Sequence, residues 1–349
     1  MKIIFILTEP TNRIVGGYKT VYDLCNFLVK KNNKVVIYYS TFNMKIKDLI
    51  KYPFRMIISK QRIKWYNLDT RIKKKYILIS SNSVIESADC YVLTASALVN
   101  KIDQYNLLDL EKTIHYIQDH EIWATSEQIL RHVYSLPTRK IVVSHWLKDL
   151  VEEYSPTRVN IISNGIDLDI FKIKNSIENR NPYSIAMLFH TDKRKGIERS
   201  INILIKLKEE FPDLKCIMFG SPQRSKIIPN WVEYYRNVSQ NELPSIYNQC
   251  SIYFCGSYYE GFGLTGLESL ICGCALVSTD TKGVREYAKN GYNALLSNPN
   301  DDNQLYLNLK KLLLDTNLKN KIANNASKEI KGHDKYKQME SFFTIIKEG

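Results

Sequence analysis

The sequence predicts an α/β protein with two doubly wound domains, each a parallel sheet covered by helices. The chain has 349 residues, more than the roughly 150 of one typical domain. Short β-rich runs alternate with amphipathic segments in both halves, which is the pattern of parallel sheets. A polar stretch, Lys172–Pro182, separates the two series. We therefore predict a first domain over residues 1–170 and a second over 171–332, with a C-terminal helix at about 333–349 that packs back on the first.

The first half opens with a βαβ unit. Lys2–Leu7 is a β-rich run, Gly16 and Gly17 interrupt it, and Lys19–Lys30 has apolar residues at helical spacing. Val35–Tyr39 then gives a second strand, which must run parallel to the first because a helix connects them. The further β-rich runs of this half are Tyr91–Leu93, Thr113–Ile117 and Ile141–Ser144.

The same alternation resumes in the second half, after the chain turns around Ser163–Asp167. The predicted strands are Ser184–Phe189, Leu214–Phe219, Ser251–Cys255 and Ala275–Ser278, and the predicted helices are Ile197–Glu210 and Leu264–Cys272. Doubly wound sheets bind ligands at the carboxyl ends of their strands. A two-domain version is therefore expected to hold its ligands in a central cleft.

Composition excludes several classes of protein. Hydrophobic residues make up 44% and charged residues 24%, as in ordinary globular domains. No apolar run approaches the ~20 residues that span a bilayer, and Ile3–Leu7 is too short for the core of a signal peptide. The seven cysteines are scattered and form no C-x-x-C pair, which favours a reducing cytoplasm over a secreted disulfide scaffold.

The charge is unevenly distributed. The net charge is +13, yet residues 1–100 hold 17 basic and 6 acidic side chains, whereas residues 101–349 hold 32 and 30. Lys45–Lys75 alone contains 11 basic residues against Asp48 and Asp69. Biased codon usage accounts for part of such a composition, but a uniform bias would not concentrate the charge in this way. Nucleic acid, an anionic membrane and a phosphorylated substrate are the candidate partners.

A glycine-rich segment flanked by carboxylates carries the most chemical information. It follows a predicted strand and opens a helix, where backbone N–H groups and the helix dipole favour a phosphate. Gly261, Gly263 and Gly266 satisfy the dinucleotide pattern G-x-G-x-x-G. That pattern normally follows the first strand of its domain, and the carboxylates of Glu260 and Glu268 would sit awkwardly beside a pyrophosphate. A nicotinamide-dependent oxidoreductase therefore stays open only as an alternative.

The same segment resembles a known family. Glu260 and Glu268 form an E-x7-E pair, and Ser257–Ser269 resembles the donor-binding signature of retaining GT-B glycosyltransferases of family 4. Cys272–Glu286 continues the pattern, and Asn164–Phe171 resembles the passage between domains in that family. The similarity covers most of residues 141–300 and, more thinly, the first 30. It implies a GT-B fold, with two Rossmann-like domains whose parallel sheets face a central cleft.

The resemblance also implies roles for individual residues. Glu268 would hold the ribose of a nucleotide sugar and Glu260, the first catalytic candidate, would orient the transferred hexose. Ionised carboxylates suit both tasks because they only accept hydrogen bonds. Arg194 and Lys195 would bind the diphosphate and neutralise the charge of the leaving group. The remaining implied donor-binding residues are Gly16, Gly17, His190, Gly261, Phe262, Gly263, Leu264 and Thr265.

The family commonly places a histidine at the end of a strand in the middle of the first domain. Here the matching region is His115–Glu121. If the strand ends at Ile117, His115 lies within the sheet and Gln118, Asp119 and His120 are at the tip. We take His120 and Asp119 as the other catalytic candidates, with a core or surface role equally open.

A D-x-D motif and the basic stretch are two further features of the sequence. Asp167 and Asp169 form a D-x-D motif, which in the GT-A fold would hold manganese or magnesium, but the GT-B signatures around it argue for no metal and no cofactor. The basic stretch is interleaved with aromatic residues, which suits an anionic leaflet, and no nucleic-acid-binding module is present. The residues assigned to membrane or acceptor docking are Lys51, Arg55, Lys60, Arg62, Lys64 and Trp65.

Together these features predict a metal-independent, retaining glycosyltransferase. It would transfer a hexose from a nucleoside diphosphate sugar to a carbohydrate or lipid-linked glycan acceptor, in surface polysaccharide or glycoconjugate biosynthesis. The expected location is the cytoplasm, with peripheral association on the inner face of the plasma membrane. Besides the oxidoreductase, a non-catalytic relative that binds sugar nucleotides or glycans without turnover stays open.

Overall fold

Two parallel sheets organise the described part of this chain, whose structure is a computed structural model covering residues 1–10, 14–41, 63, 65–329 and 332–348. The chain divides into two units. The first comprises Met1–Ser163 together with Met339–Gly349, and the second comprises Asn164–Gln338. The predicted fold class, two doubly wound α/β domains, is confirmed.

In the described part of the first unit, seven strands form a sheet of order β3-β2-β1-β4-β5-β6-β7, and neighbouring strands pair in parallel. Its strands are β1 Lys2–Leu7, β2 Lys34–Thr41, β3 Lys73–Leu78, β4 Cys90–Leu93, β5 Thr113–Ile117, β6 Arg139–Val142 and β7 Val159–Ile161. Among its described residues, the helices are α1 Gly16–Lys30, α2 Ser96–Gln104, α3 Glu127–Ser135 and α4 His145–Glu152. The central strands are almost wholly buried, because helices cover both faces of a parallel sheet.

The second unit contains a six-stranded parallel sheet of order β10-β9-β8-β11-β12-β13. Its strands are β8 Ser184–Leu188, β9 Lys215–Gly220, β10 Glu233–Arg236, β11 Ile252–Cys255, β12 Ala275–Thr279 and β13 Ala294–Ser297. Its helices are α5 Ile197–Glu210, α6 Leu243–Gln249, α7 Leu264–Ile271, α8 Asp302–Leu314 and α9 Thr316–Glu329. Its core joins apolar side chains from the strands and from α5, α8 and α9.

The last helix, α10 Lys335–Lys347, ends among residues of the first unit. The ring of Phe342 lies 5.0 Å from that of Tyr116. A guanidinium nitrogen of Arg139 donates to the carbonyl of Ile345 at 2.9 Å. These contacts explain why residues beyond 338 belong to the first unit although the chain has passed through the second.

Two predicted boundaries differ from the structure for reasons of local geometry. The glycines Gly16 and Gly17 form the first turn of α1 instead of a loop before it. The predicted strand Ile141–Ser144 begins earlier, at Arg139, and ends at Val142, because Ser144 precedes the first turn of α4. Among the described helices, none is both long enough and apolar enough to cross a membrane.

Candidate functional site

The candidate site lies at the carboxyl edge of the second sheet. Strands β8 and β11 are hydrogen-bonded neighbours although more than sixty residues separate them. Because parallel strands end at the same edge, the turn after β8 and the glycine-rich segment after β11 come together. The amide of Tyr258 donates to the carbonyl of Arg194 at 2.7 Å and joins the two segments directly.

Lys195 and Glu260 form the central ion pair of this edge. The Nζ of Lys195 donates to Oε1 and Oε2 of Glu260 at 2.8 and 2.7 Å. The hydroxyl of Ser257 donates to the same Oε1 at 2.7 Å. Burial acts to lower the pKa of Lys195, but the charge and hydrogen bonds of Glu260 outweigh it and the pKa lies above its ordinary value. The lysine is therefore charged at neutral pH.

Arg194 is held by its own turn. Its Nε and Nη2 donate to Oδ2 of Asp192 at 3.0 and 2.6 Å, and its amide donates to Oδ1 at 2.9 Å. These hydrogen bonds hold the pKa of Asp192 below its usual range. The ring of His190 accepts from the amide of Asp192 at 3.0 Å, and partial burial lowers the pKa of this histidine. His190, Asp192 and Arg194 thus lie within one short turn, which Lys195 follows directly.

The glycines of the segment are required by packing and by backbone conformation. Gly263 has a φ of 88° and precedes α7, a conformation that favours glycine. The hydroxyl of Tyr287 donates to the carbonyl of Gly263 at 2.7 Å. A Cβ at Gly266 would lie 2.4 Å from that hydroxyl oxygen. Phe262 is buried against Tyr287, so its side chain faces the interior and only its backbone can serve a ligand.

Glu268 lies one turn into α7, as the sequence predicted, and is only 5% exposed. The hydroxyl of Tyr247 donates to its Oε2 at 3.1 Å. Burial, together with the charge of Glu268, raises the pKa of Tyr247 well above its ordinary value, so the phenol stays neutral and donates. The two carboxylates of the E-x7-E pair are therefore both in the second unit, one before the helix and one within it.

Arg199 is a supporting residue that the sequence analysis missed. It is 7% exposed, and its guanidinium donates to the carbonyls of Gly256 at 2.8 Å and Ser257 at 3.3 Å. The same group lies 3.8 Å from the ring centre of Tyr258. It thereby fixes the backbone that leads to Glu260. The sequence did contain a signal for its burial. Arg199 is four residues before Ile203, so both lie on the same, apolar face of the amphipathic helix α5.

The remaining sequence candidates lie at the carboxyl edge of the first sheet. His115 is within β5 and fully buried, as predicted, and burial lowers its pKa to about 3. His120 lies beyond the strand, with its ring nitrogens 3.2 Å from the hydroxyl of Tyr134 and 3.1 Å from Oε2 of Glu127. A Cβ at Gly17 would lie 3.0 Å from Oε1 of Gln118, so the first turn of α1 approaches the same tip.

Of the predicted docking residues, only Trp65 lies within the described part of the chain. Lys51, Arg55, Lys60, Arg62 and Lys64 lie outside the described residues. Trp65 is half-buried, and its ring centre is 5.8 Å from that of Tyr22 and 5.7 Å from that of Tyr66. Trp65 is thus part of an aromatic cluster that packs against Tyr22 of α1.

Asp167 of the D-x-D motif has local partners. Its Oδ2 lies 2.7 Å from Nζ of Lys335, and its Oδ1 accepts from the amide of Asp169 at 3.1 Å. Although burial acts to raise the pKa of Asp167, these bonds hold it below its usual range. Across the described residues, no group of three or more His, Cys, Asp or Glu side chains is arranged to hold a metal ion.

Comparison with known proteins finds a family match that lies within the second unit. Residues 169–329 match the family model Glycosyl transferases group 1. An N-acetylgalactosaminyltransferase of Campylobacter jejuni, named as acting on a diphospho-undecaprenol-linked N-acetylgalactosamine–diacetylbacillosamine, is 30% identical over 55% of this chain and 54% of its own length. An uncharacterized glycosyltransferase of Methanocaldococcus jannaschii is 26% identical over 53% and 52%. The chain spans about half the length of these curated relatives.

Solved structures show the same fold over the whole chain. Sucrose-phosphate synthase from Thermosynechococcus elongatus superimposes with a TM-score of 0.78 at 14% identity, over 100% of this chain and 98% of its own. The Anabaena protein HepE in complex with UDP-glucose gives 0.75 at 14% identity, over 100% of both chains. The chain thus has the GT-B fold, and residues 169–329, within its second unit, are similar to the glycosyl transferases group 1 model.

Proposed function

We propose that this protein is a retaining, metal-independent glycosyltransferase that moves a hexose from a nucleoside diphosphate sugar to a carbohydrate or lipid-linked glycan. The observation that carries the proposal is the Lys195–Glu260 pair beside the amino end of α7. A diphosphate needs cations and helix N–H groups, and a hexose needs hydrogen-bond acceptors. Both kinds of group are present at one edge of one sheet.

Lys195 and Arg194 are the groups that stabilise the leaving nucleoside diphosphate in this proposal. Each is paired with a carboxylate in the structure, Lys195 with Glu260 and Arg194 with Asp192. Phosphate oxygens would compete for both cations. When Lys195 turns to the diphosphate, Glu260 is released to accept hydrogen bonds from the hexose. The developing charge then meets cations already in place.

Glu268 is the proposed ribose-binding residue. Its carboxylate is buried and oriented by Tyr247, so little ordering is required when two hydroxyl groups approach. The backbone of Gly261–Thr265 lies between the two carboxylates, and His190 lies beside the basic turn. These positions support a nucleotide sugar laid across the amino end of α7.

The first unit is proposed to receive the acceptor. The carboxyl edge of its sheet also carries the proposed donor-binding glycines Gly16 and Gly17 and the catalytic candidates Asp119 and His120. The Campylobacter relative is named for a diphospho-undecaprenol-linked substrate, which supports a lipid-linked acceptor. Peripheral association with an anionic inner leaflet through the basic residues of Lys45–Lys75, in the cytoplasm, completes the proposal.

The experiment is a binding and hydrolysis panel of UDP-, GDP- and dTDP-sugars, with NADH as the probe for an oxidoreductase. We expect saturable binding of at least one nucleotide sugar and slow release of free sugar. Glu268→Ala should abolish that binding, whereas Glu209→Ala, an exposed carboxylate on α5, should not. Binding of NADH alone, or full retention of binding by Glu268→Ala, would overturn the assignment. Binding without turnover in the presence of acceptors would favour the non-catalytic alternative.

A further inference from the structure

The turn after β5 presents a tryptophan to solvent. Trp123 is 56% exposed and its neighbour Ile122 is 55% exposed. Large apolar side chains normally gain stability by burial, so an exposed indole at the ligand-binding edge of a doubly wound sheet calls for a reason. Ligands bind at the carboxyl edge of such sheets, so this exposed apolar pair is a candidate contact surface.

The indole is held in position by a hydrogen bond. Its Nε1 donates to Oδ2 of Asp119 at 3.2 Å. The other oxygen of Asp119 accepts from the amide of His120 at 3.0 Å. The N–H of the indole is therefore engaged within the turn, although Trp123 as a whole is more than half exposed. A tryptophan oriented in this way differs from one that merely projects into water.

The turn that carries the tryptophan is itself anchored on two sides. Oε2 of Glu121 accepts from the amide of Ser96 at 2.6 Å and ties the turn to the start of α2. The ring nitrogens of His120 lie 3.2 Å from the hydroxyl of Tyr134 and 3.1 Å from Oε2 of Glu127, and both of these residues are on α3. Few degrees of freedom are left to lose when a ligand settles on the turn.

The surrounding charge selects between possible ligands. Residues 118–130 contain Asp119, Glu121 and Glu127 and no lysine or arginine. The nearest basic side chain in sequence, Arg131, is paired with Glu127 at 3.4 Å. An anionic lipid surface would be repelled by this patch. A sugar ring is neutral, with hydroxyl groups that donate to carboxylates and a face of C–H groups that packs on an aromatic ring.

We propose that Trp123 is a stacking platform for a pyranose ring of the acceptor glycan, with Asp119 as the positioning residue that fixes the indole. This inference rests on the proposed function, since it names the residue that binds the acceptor of that reaction. The proposal also assigns different roles to two neighbours of similar exposure. Binding requires the ring of Trp123 and does not require the side chain of Ile122.

The test is fluorine NMR of the full chain labelled with 5-fluorotryptophan. The chain has four tryptophans, so the Trp123→Phe variant assigns the resonance. The probes are the methyl glycosides of glucose, galactose, N-acetylglucosamine and N-acetylgalactosamine, and phosphatidylglycerol vesicles. We expect at least one glycoside to shift the Trp123 resonance in a saturable way while the others stay in place. A response to vesicles alone, or no response to any glycoside, would overturn the proposal.

Variants make the roles specific. Trp123→Ala should weaken the binding of the active glycoside at least tenfold in calorimetry, and Ile122→Ala should change it less than twofold. Asp119→Ala should broaden the Trp123 resonance in the free protein, and it should cause no further loss of affinity in the Trp123→Ala background. Equal losses for Ile122→Ala and Trp123→Ala would contradict the platform and indicate a general apolar patch.

The result of this NMR test can be told apart from the result of the nucleotide-sugar binding experiment. If nucleotide sugars bind but no glycoside moves the Trp123 resonance, only this inference fails. If glycosides move the resonance but no nucleotide sugar binds, the proposed function fails and Trp123 marks a glycan-binding site. Both readouts are obtained on the same preparation.

Discussion

Lys195 and Glu260 neutralise each other through two hydrogen bonds of 2.8 and 2.7 Å, although they are 65 residues apart in sequence. Both side chains are largely withdrawn from solvent, where removal of one partner leaves an uncompensated charge. The pair therefore brings together the cation that a diphosphate requires and the hydrogen-bond acceptor that a sugar requires. Whether the two are exchanged on donor binding can be tested by changing only one of them.

Glu260→Gln is expected to increase the affinity for UDP or GDP without a sugar by about tenfold, or about 1.4 kcal/mol. The neutral amide no longer sequesters the charge of Lys195, which becomes available to the phosphates. The same variant should no longer hydrolyse nucleotide sugars, since the carboxylate proposed to accept hydrogen bonds from the hexose is gone. Isothermal titration measures the affinity, with Glu209→Gln as the control. Unchanged or weaker binding of the diphosphate would contradict the exchange.

Arg199→Met should lower the stability of the second unit by about 2–3 kcal/mol, because the carbonyls of Gly256 and Ser257 lose their buried donor. It should also raise the KM for the donor, since this backbone carries Glu260. Thermal unfolding and donor kinetics provide the measurements. The matched control is Arg285→Met, whose exposed ion pair with Asp280 is expected to contribute no more than about 1 kcal/mol. Equal effects of the two substitutions would refute the supporting role.

Gly196→Ala should be far more destabilising than Gly291→Ala. Both glycines have a positive φ, 58° and 76° respectively, so both substitutions incur the cost of a left-handed residue, about 1–2 kcal/mol. Only at Gly196 would the new Cβ also meet a backbone atom, the carbonyl oxygen of Gly256 at 2.0 Å. The difference in melting temperature isolates this close approach of the two site loops. Similar melting temperatures for the two variants would show that the loops can separate without cost.

Acidification should destabilise the protein through His115. Burial lowers the pKa of this side chain to about 3 in the native state, whereas an unfolded histidine has a pKa of about 6.5. Between these values the unfolded chain binds a proton that the native chain does not, so stability falls as the pH falls, by up to about 1.4 kcal/mol per pH unit. Urea unfolding at pH 7 and pH 5 should show this loss, reduced in His115→Met. A pH dependence that is identical in the two proteins would exclude His115 as its source.

The elements that the sequence predicted best are those with a clear local pattern. Lys2–Leu7 and Ile197–Glu210 have the predicted bounds, because a continuous apolar run and a helical periodicity are properties of the segment itself. Lys73–Lys75, the end of the basic stretch Lys45–Lys75, form the first half of the edge strand β3. Its lysines face outward, and Lys75 pairs with Glu86 at 2.9 Å. An edge strand tolerates such charge because only one of its sides pairs with the sheet.

The site divides in the same way. The order of glycines and carboxylates after β11 was readable, since backbone conformation and helix position restrict which residues can follow a strand. Arg199 was not found, because an arginine in an amphipathic helix is ordinarily exposed. The ion pair between Arg194 and Asp192 was also not predicted, although both residues belong to one turn. Residue spacing alone does not determine which of several nearby partners a side chain binds.

The sequence by itself determined the alternating elements, the two-domain α/β class and the position of the glycine-rich segment with its two carboxylates, because all three follow from local patterns of apolar, glycine and charged residues. Only the tertiary structure decided that Lys195 meets Glu260, that Arg199 reaches Gly256 and that Asp119 orients an exposed Trp123. The first two contacts depend on β8 lying next to β11 with β9 and β10 to one side. That order is set by the packing of the whole sheet and is not written in any single segment.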